Sequence, residues 1–214
     1  IPAGPYEQQR GQPAMGFLQG TATFRRYRVL GDSPPDFGTF LDRQIKLHAF
    51  SGLATGPEDK SMGWTSIDNV LDTDFEYAGY QYGEFTLFSL RIDRKILPPS
   101  LLRVKTMEAE QQYLREKGLN KLFREQRLEI KETIRGKLLQ TAQPIPSFYE
   151  VCWNVSGGWL LFGSLSEKVA EEFEDLFKRT FSMGLLPFLP WDPAYLDSAL
   201  VRSLAALRQE GTRT

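Results

Sequence analysis

Apolar positions along the chain change their period several times, and each change marks a predicted element. Residues 17–29, FLQGTATFRRYRV, are rich in Thr and aromatics and contain no Pro, which predicts a strand with Arg25, Arg26 and Arg28 at its end. Pro35 and Asp36 then open an amphipathic helix in which Phe37, Phe40, Leu41, Ile45, Leu47 and Phe50 keep helical spacing, closed by Gly52. Residues 62–67 predict a short strand and 85–92, FTLFSLRI, a stronger one. Between them, residues 71–85 alternate acids with aromatics. They read as a hairpin with half-buried rings in preference to an exposed partner-binding loop.

Pro98 and Pro99 suit a first helical turn, and the helix they open runs to Lys117, where Gly118 ends it. A second helix is expected from about Leu119 to Gln140, stopped by Pro144 and Pro146. A break of one or two residues would make the pair either a helical hairpin or a bent arm. Two β-rich runs around Gly157 and Gly158, within residues 148–163, predict a hairpin. Ser166 then opens a helix to Phe181 with Val169, Phe173, Leu176, Phe177 and Phe181 on one face. Residues 185–189 predict a last strand, and 193–207 a terminal helix.

The expected fold class is therefore α+β, with β-rich parts and packed helices flanking a long two-helix basic arm. Its divisions are an extension at 1–14, an α+β part at 15–97, the helical arm at 98–141, a hairpin-plus-helix part at 142–190 and a helical tail at 191–214. The extension holds three Pro, two Gly and three Gln with little to bury and reads as disordered, with Met15 as a candidate native start. The single Cys152 lies in an apolar run and reads as a buried thiol in a reducing compartment. No stretch has the length and apolarity of a membrane span, and the first residues lack a basic region followed by an apolar one, so neither secretion nor membrane insertion is expected.

A formal net charge of -1 conceals strong segregation. Residues 31–90 carry three basic groups against ten acidic ones, whereas 91–140 carry thirteen against seven. One His and one Cys leave too few donors for zinc sites or Cys-His dyads. His48, near a helix end, reads as a histidine beside main-chain carbonyls. Neither GxGxxG nor GxxxxGK[ST] occurs. Asp68, Asp72, Asp74 and Glu76 lack distinctive ligand spacing, so neither a metal, a cofactor nor a catalytic residue is assigned.

In the second arm helix, Arg124, Arg127, Lys131 and Arg135 are spaced 3, 4 and 4 apart and form one stripe. Phe123, Ile130, Ile134 and Leu138 define an apolar face to one side, and Glu125, Glu129 and Glu132 lie to the other. Like charges at this spacing destabilise a helix by roughly 0.2–0.5 kcal/mol per pair unless anions meet them. Phosphates would serve, with Arg103, Lys105, Lys121 and Lys137 in support and Arg25, Arg26 and Arg28 as a further group. The competing reading is that solvent, or acids from residues 31–90, cover the stripe. Two other functions compete with this reading: a protein-interaction module acting through Tyr77, Tyr80 and Tyr82 on a recombinase or phage component, and a metal-dependent nuclease using Asp72 and Asp74.

The order of motifs resembles the recombination-associated RdgC family. They are Met15-Gly16-Phe17, His48-Ala49-Phe50, Met62-Gly63-Trp64, and Lys95-Ile96-Leu97-Pro98 leading into two charged helices. Val151-Cys152-Trp153-Asn154 before Gly158, the helix start at Ser164 to Lys168, and Leu186-Pro187 follow. The resemblance implies a non-catalytic, cytoplasmic, nucleoid-associated protein that binds double-stranded DNA with little sequence preference and needs no cofactor. It further implies a homodimeric ring clamp that restrains RecA-driven recombination, here as a short form without much of the C-terminal part of longer members.

Overall fold

A computed structural model describes residues 16–17, 22–31, 34–53, 58–75, 80–189 and 199–202. Its elements run β1 (Arg25–Leu30), α1 (Phe37–Leu47), β2 (Lys60–Thr65), β3 (Gln81–Tyr82), β4 (Phe85–Lys95), α2 (Pro99–Lys117), α3 (Arg124–Thr141), β5 (Pro144–Asn154), β6 (Trp159–Phe162), α4 (Glu167–Phe181) and β7 (Gly184–Pro187). The class is α+β, as the patterning predicts. The predicted extension at 1–14 and most of the terminal helix lie outside the described residues; 199–202 are helical.

The chain divides into two compact units drawn from non-consecutive segments, Ile1–Phe37, Gln81–Thr86 and Val151–Thr214 in the first, Gly38–Tyr80 and Leu87–Glu150 in the second. In the first unit, β1 lies between β6 and β7 and pairs antiparallel with both, and β6 pairs with the second half of β5. Tyr27 points inward from β1 while Arg26 and Arg28 point out, the period-two alternation of a strand with one covered face. The covering element is α4, whose buried Val169, Ala170, Phe173, Leu176, Phe177, Thr180 and Phe181 recur every three or four residues.

Aromatic rings fill the space between α4 and the sheet. Phe162 of β6 stacks on Phe173 with centroids 3.9 Å apart and planes 5° from parallel. Trp153 meets Phe177 and Phe181 edge-on, each at 5.2 Å. Such pairs add about 0.5–1.5 kcal/mol each beyond their burial. The helix starts after Ser166, as expected, and ends at Ser182 in the left-handed region at φ 57.

In the second unit, β4 is flanked by β2 and by β5. Both edges of β4 are thus paired, and Thr86 to Leu90 are buried without interruption. The predicted strand at 85–92 continues to Lys95, where Arg91 forms two hydrogen bonds of 2.8 and 2.9 Å to the buried Asp93 and lies 4.1 Å over the Phe50 ring. The helix predicted to run to Gly52 stops at Leu47, because residues 48–50 turn to pair with β2. Trp64 N–H donates to the His48 carbonyl and Phe50 N–H to the Trp64 carbonyl, at 3.0 and 2.9 Å.

That pairing explains Gly63. A β-carbon there would lie 2.5 Å from Phe50 Cα and 2.6 Å from its nitrogen, both main-chain atoms without a rotamer to yield. Gly63→Ala is therefore expected to destabilise the protein by about 1–3 kcal/mol, the usual cost of overpacking, read as a lower denaturant midpoint at unchanged slope. An unshifted midpoint would mean that the 48–50 segment moves aside freely.

Candidate nucleic-acid interface

The arm sits between β4 and β5 in the chain, and its two helices pack on each other within the second unit, forming a hairpin instead of a bent arm. α2 begins at Pro99 and ends against Gly118 in the left-handed conformation at φ 62, as the sequence predicts. α3 departs from expectation: it starts at Arg124, so the break spans residues 118–123 instead of one or two positions. Leu122 is buried within that connection, and Phe123 precedes the helix in an extended conformation. The Gln126 side chain reaches back to accept from Phe123 N–H at 2.9 Å, closing the first turn.

This start removes Phe123 from the predicted apolar face: it is 73% exposed. Ile130, Ile134 and Leu138 are half-buried, and Leu139 supplies the one buried side chain of α3. α2 buries none completely. The seam is narrow, and it divides the arm's charges into two grooves.

One groove, of about 320 Å³, is lined by Lys121, Arg124, Arg127 and Lys131 together with Thr106, Glu110, Leu122 and Leu128. All four cations are exposed. Among the described residues, no carboxylate lies within ion-pair distance of any of them. Arg103 is exposed and lies three and seven positions before Thr106 and Glu110, which puts it on the same face of α2. The other groove contains Glu116, Glu129, Tyr113, Ile130, Ile134 and Lys137.

Not every proposed contact is equally open. Arg135 lies 3.5 Å from Asp59 and 3.9 Å from Glu132, so one acid from the 31–90 region does cover the end of the stripe. Lys105 pairs with Glu108 at 2.8 Å, and Lys137 belongs to the opposite groove. Arg25 is engaged in the first unit, donating to both carboxylate oxygens of Glu167 and to the Leu165 carbonyl. Its guanidinium holds the Glu167 carboxyl below the usual range. Arg26 and Arg28 stand exposed on the outer face of β1.

Groups considered for chemistry have structural placements. His48 Nδ1 lies 3.1 Å from the Gln44 carbonyl, as expected of a helix-end histidine. Cys152 is half-buried, less than the sequence suggests, and burial pushes its thiol up, away from the thiolate. Asp72 Oδ1 accepts from the N–H groups of Asp74 and Phe75, which makes it a turn former. Among the described residues, no three His, Cys, Asp or Glu gather as metal ligands would. Nor, among them, is any helix long and apolar enough to cross a membrane.

The tyrosine-rich segment is a short hairpin, with β3 paired to β4 across Gly83 at φ 64. Phe75 is buried, Tyr82 is partly exposed, and Tyr80 O–H donates to Asp42 Oδ1 at 2.7 Å; Tyr77 lies outside the described residues. Half-buried rings in a hairpin match the preferred expectation. Sequence reasoning missed the setting of Arg26, whose guanidinium lies 4.8 Å from the Phe188 ring centroid and 5.5 Å from that of Trp159.

Fold and surface together define an α+β protein whose sheet strands are interrupted by a two-helix hairpin with one cation-lined groove. Residues 26–201 match the family described as "Putative exonuclease, RdgC", and the chain belongs to the RdgC family. No curated protein matches it.

The Tyr80–Asp42 bond gives a pH-dependent test. Tyr80, with Lys46, holds the Asp42 carboxyl below its ordinary value, while burial and Asp42 push the Tyr80 hydroxyl up to about 12. Stability from a depressed carboxylate is present above its unfolded pKa and lost as pH falls through the folded one. Tyr80→Phe should therefore cost about 1 kcal/mol at neutral pH and progressively less below about pH 4, measured by urea unfolding across pH. A pH-independent loss would instead mean that the ring's packing, and not the hydrogen bond, is what matters.

Proposed function

We propose that this chain binds double-stranded DNA without sequence preference, through the groove that Lys121, Arg124, Arg127 and Lys131 line on the α2–α3 arm. The observation that carries the reading is that four exposed cations share one groove with a single acid, Glu110, while the arm's other acids lie elsewhere. Affinity that ignores sequence arises from phosphate neutralisation and counterion release, for which Lys and Arg suffice and base-reading groups are not needed. Arg103 extends the groove along α2. Arg135 joins once a phosphate displaces Asp59, whose contact at 3.5 Å is long for an ion pair.

The family resemblance supports the remaining parts of the proposal. The protein acts as a homodimer that closes around the duplex in the cytoplasm, on the nucleoid, and restrains RecA-dependent recombination without chemistry of its own. Two arms brought to one duplex would double the phosphate contacts and raise the residence time. A solution mass of at least a dimer, with duplex and without it, is expected. A monomer under both conditions removes the clamp.

The family description names an exonuclease, which makes a nuclease the second reading. End-labelled linear duplex with magnesium distinguishes them: intact label is expected, and progressive loss of label with time would establish catalysis.

DNA binding itself is tested by salt. If about six phosphates are neutralised, the log-log slope of the association constant against salt should be near -5 on random-sequence duplex. Reversing Arg124, Arg127 and Lys131 to Glu should lower affinity by roughly a hundredfold or more at low salt and flatten the slope by about 3. Full affinity in that variant would place the DNA elsewhere, and unchanged activity with loss on substitution of Tyr80 and Tyr82 would favour a protein-interaction role.

A further inference from the structure

Within the first unit, a second cationic site is built on the outer face of β1. Arg26 and Arg28 are two residues apart and exposed, on the side of the strand opposite the buried Tyr27. They border a cavity of about 360 Å³ that is also lined by Ser156, Gly157, Trp159 and Phe188, with no carboxylate in its lining among the described residues. That volume is within the range of small-ligand sites.

The walls are fixed by contacts the arm does not have. Trp159 stands directly across from Arg28 on β6, and the Arg26 guanidinium lies over both the Trp159 and Phe188 rings. Cation–π contact holds the guanidinium against the rings at low entropy cost while its edge N–H groups remain able to donate. The Ser156-Gly157-Gly158 turn is tied down: Ser156 Oγ and Gly157 N–H donate to Asn154 Oδ1, and Val29 N–H donates to the Gly158 carbonyl at 2.9 Å. A β-carbon at Gly157 would lie 2.7 Å from Trp159 Nε1, so the turn abuts the indole edge and leaves room only for glycine.

Two guanidiniums with rigid aromatic walls and, among the described residues, no counter-charge in the lining suit a tetrahedral dianion or a phosphodiester better than a lone carboxylate. We propose that this cavity is a phosphate-binding site, distinct from the arm groove, that takes a phosphate of a single nucleic-acid strand or of a free nucleotide. The Arg26 and Arg28 forks hold the anion, Trp159 and Phe188 hold Arg26 in place, and Ser156, its proton on Asn154 Oδ1, keeps the turn beside them rigid. The site does not rest on duplex binding by the arm.

The test uses the full chain with Lys121, Arg124, Arg127 and Lys131 reversed to Glu and Arg103 and Arg135 replaced by Ala, so that the arm's groove repels anions. Trp64 and Trp153 are fully buried, and Trp191→Phe leaves Trp159 as the accessible indole. Its fluorescence is followed during titration with a short single-stranded oligothymidylate and, separately, with adenosine monophosphate. Saturable quenching is expected, weakened roughly tenfold or more by Arg28→Ala and by Arg26→Ala, as for loss of a charge-assisted contact. Arg28→Ala is the cleaner variant, since Arg28 stacks on no ring among the described residues. Quenching by the oligonucleotide alone identifies the strand backbone as the source; equal affinity for the monophosphate identifies a nucleotide. No saturable change with either probe at low salt, or an affinity unaffected by Arg28→Ala, overturns the site. Either result leaves duplex binding by the unreversed protein standing or falling on its own salt titration.

Discussion

A helix bearing Arg124, Arg127, Lys131 and Arg135 along one side repels itself, and what keeps it in place is its apolar seam with α2. Helices in proteins draw most of their stability from packing an apolar face, so these two, of 19 and 18 residues, each depend on the other. The seam is thin: Ile130, Ile134 and Leu138 are half-buried, and Leu139 alone is fully buried. Because it follows a single stripe of α3, Lys121, Arg124, Arg127 and Lys131 fall to one side of it, with Glu110 as the one acid among the described residues lining their groove, and Glu116 and Glu129 fall to the other. The charge asymmetry of the arm is thus a consequence of where its few apolar residues stand. Moving the seam by one position around α3, about 100°, would bury the cations or mix them with the acids.

The chain spends its burial elsewhere. Phe162, Phe173, Phe177, Phe181 and Trp153 form an aromatic layer beneath α4, and Trp64 and Phe88 meet edge-on at 5.1 Å in the second unit. Strands β4 and β5, which lead into and out of the arm, belong to that well-packed framework. The arm is therefore held at both ends by sheet hydrogen bonds while its own surface remains available, a division between rigid scaffold and exposed working surface.

Local signals were legible and distant partners were not. Pro99, Gly118 and Ser166 set the ends of α2 and the start of α4 through backbone effects that act within a few residues, and both helices lie where the pattern puts them. Propensity places the start of α3 too early, because Leu119, Lys121 and Leu122 are good helix formers, yet Leu122 is buried in a non-helical connection. The cationic stripe was readable from spacing alone. That Asp59 covers Arg135, and that Glu167 holds Arg25 from 142 residues away, depend on tertiary contacts that no periodicity encodes. The same holds for Arg26, whose ring partners come from β6 and from the residue just after β7.

The two cationic surfaces differ in kind. On α3 the guanidinium and ammonium groups end long side chains in solvent, so an anion gains attraction but must also order those chains, and the attraction is screened within about 8–10 Å at physiological salt. On β1 much of that ordering is already complete, because Arg26 rests on Trp159 and Phe188 and the turn beside it is tied to Asn154. The first arrangement favours rapid, diffuse, salt-sensitive capture of a polyanion of any sequence. The second favours a short-range contact whose strength depends on geometry, and hence on one phosphate being presented correctly. A chain with both can separate attraction from selection, with charge alone governing the approach and shape governing what is kept.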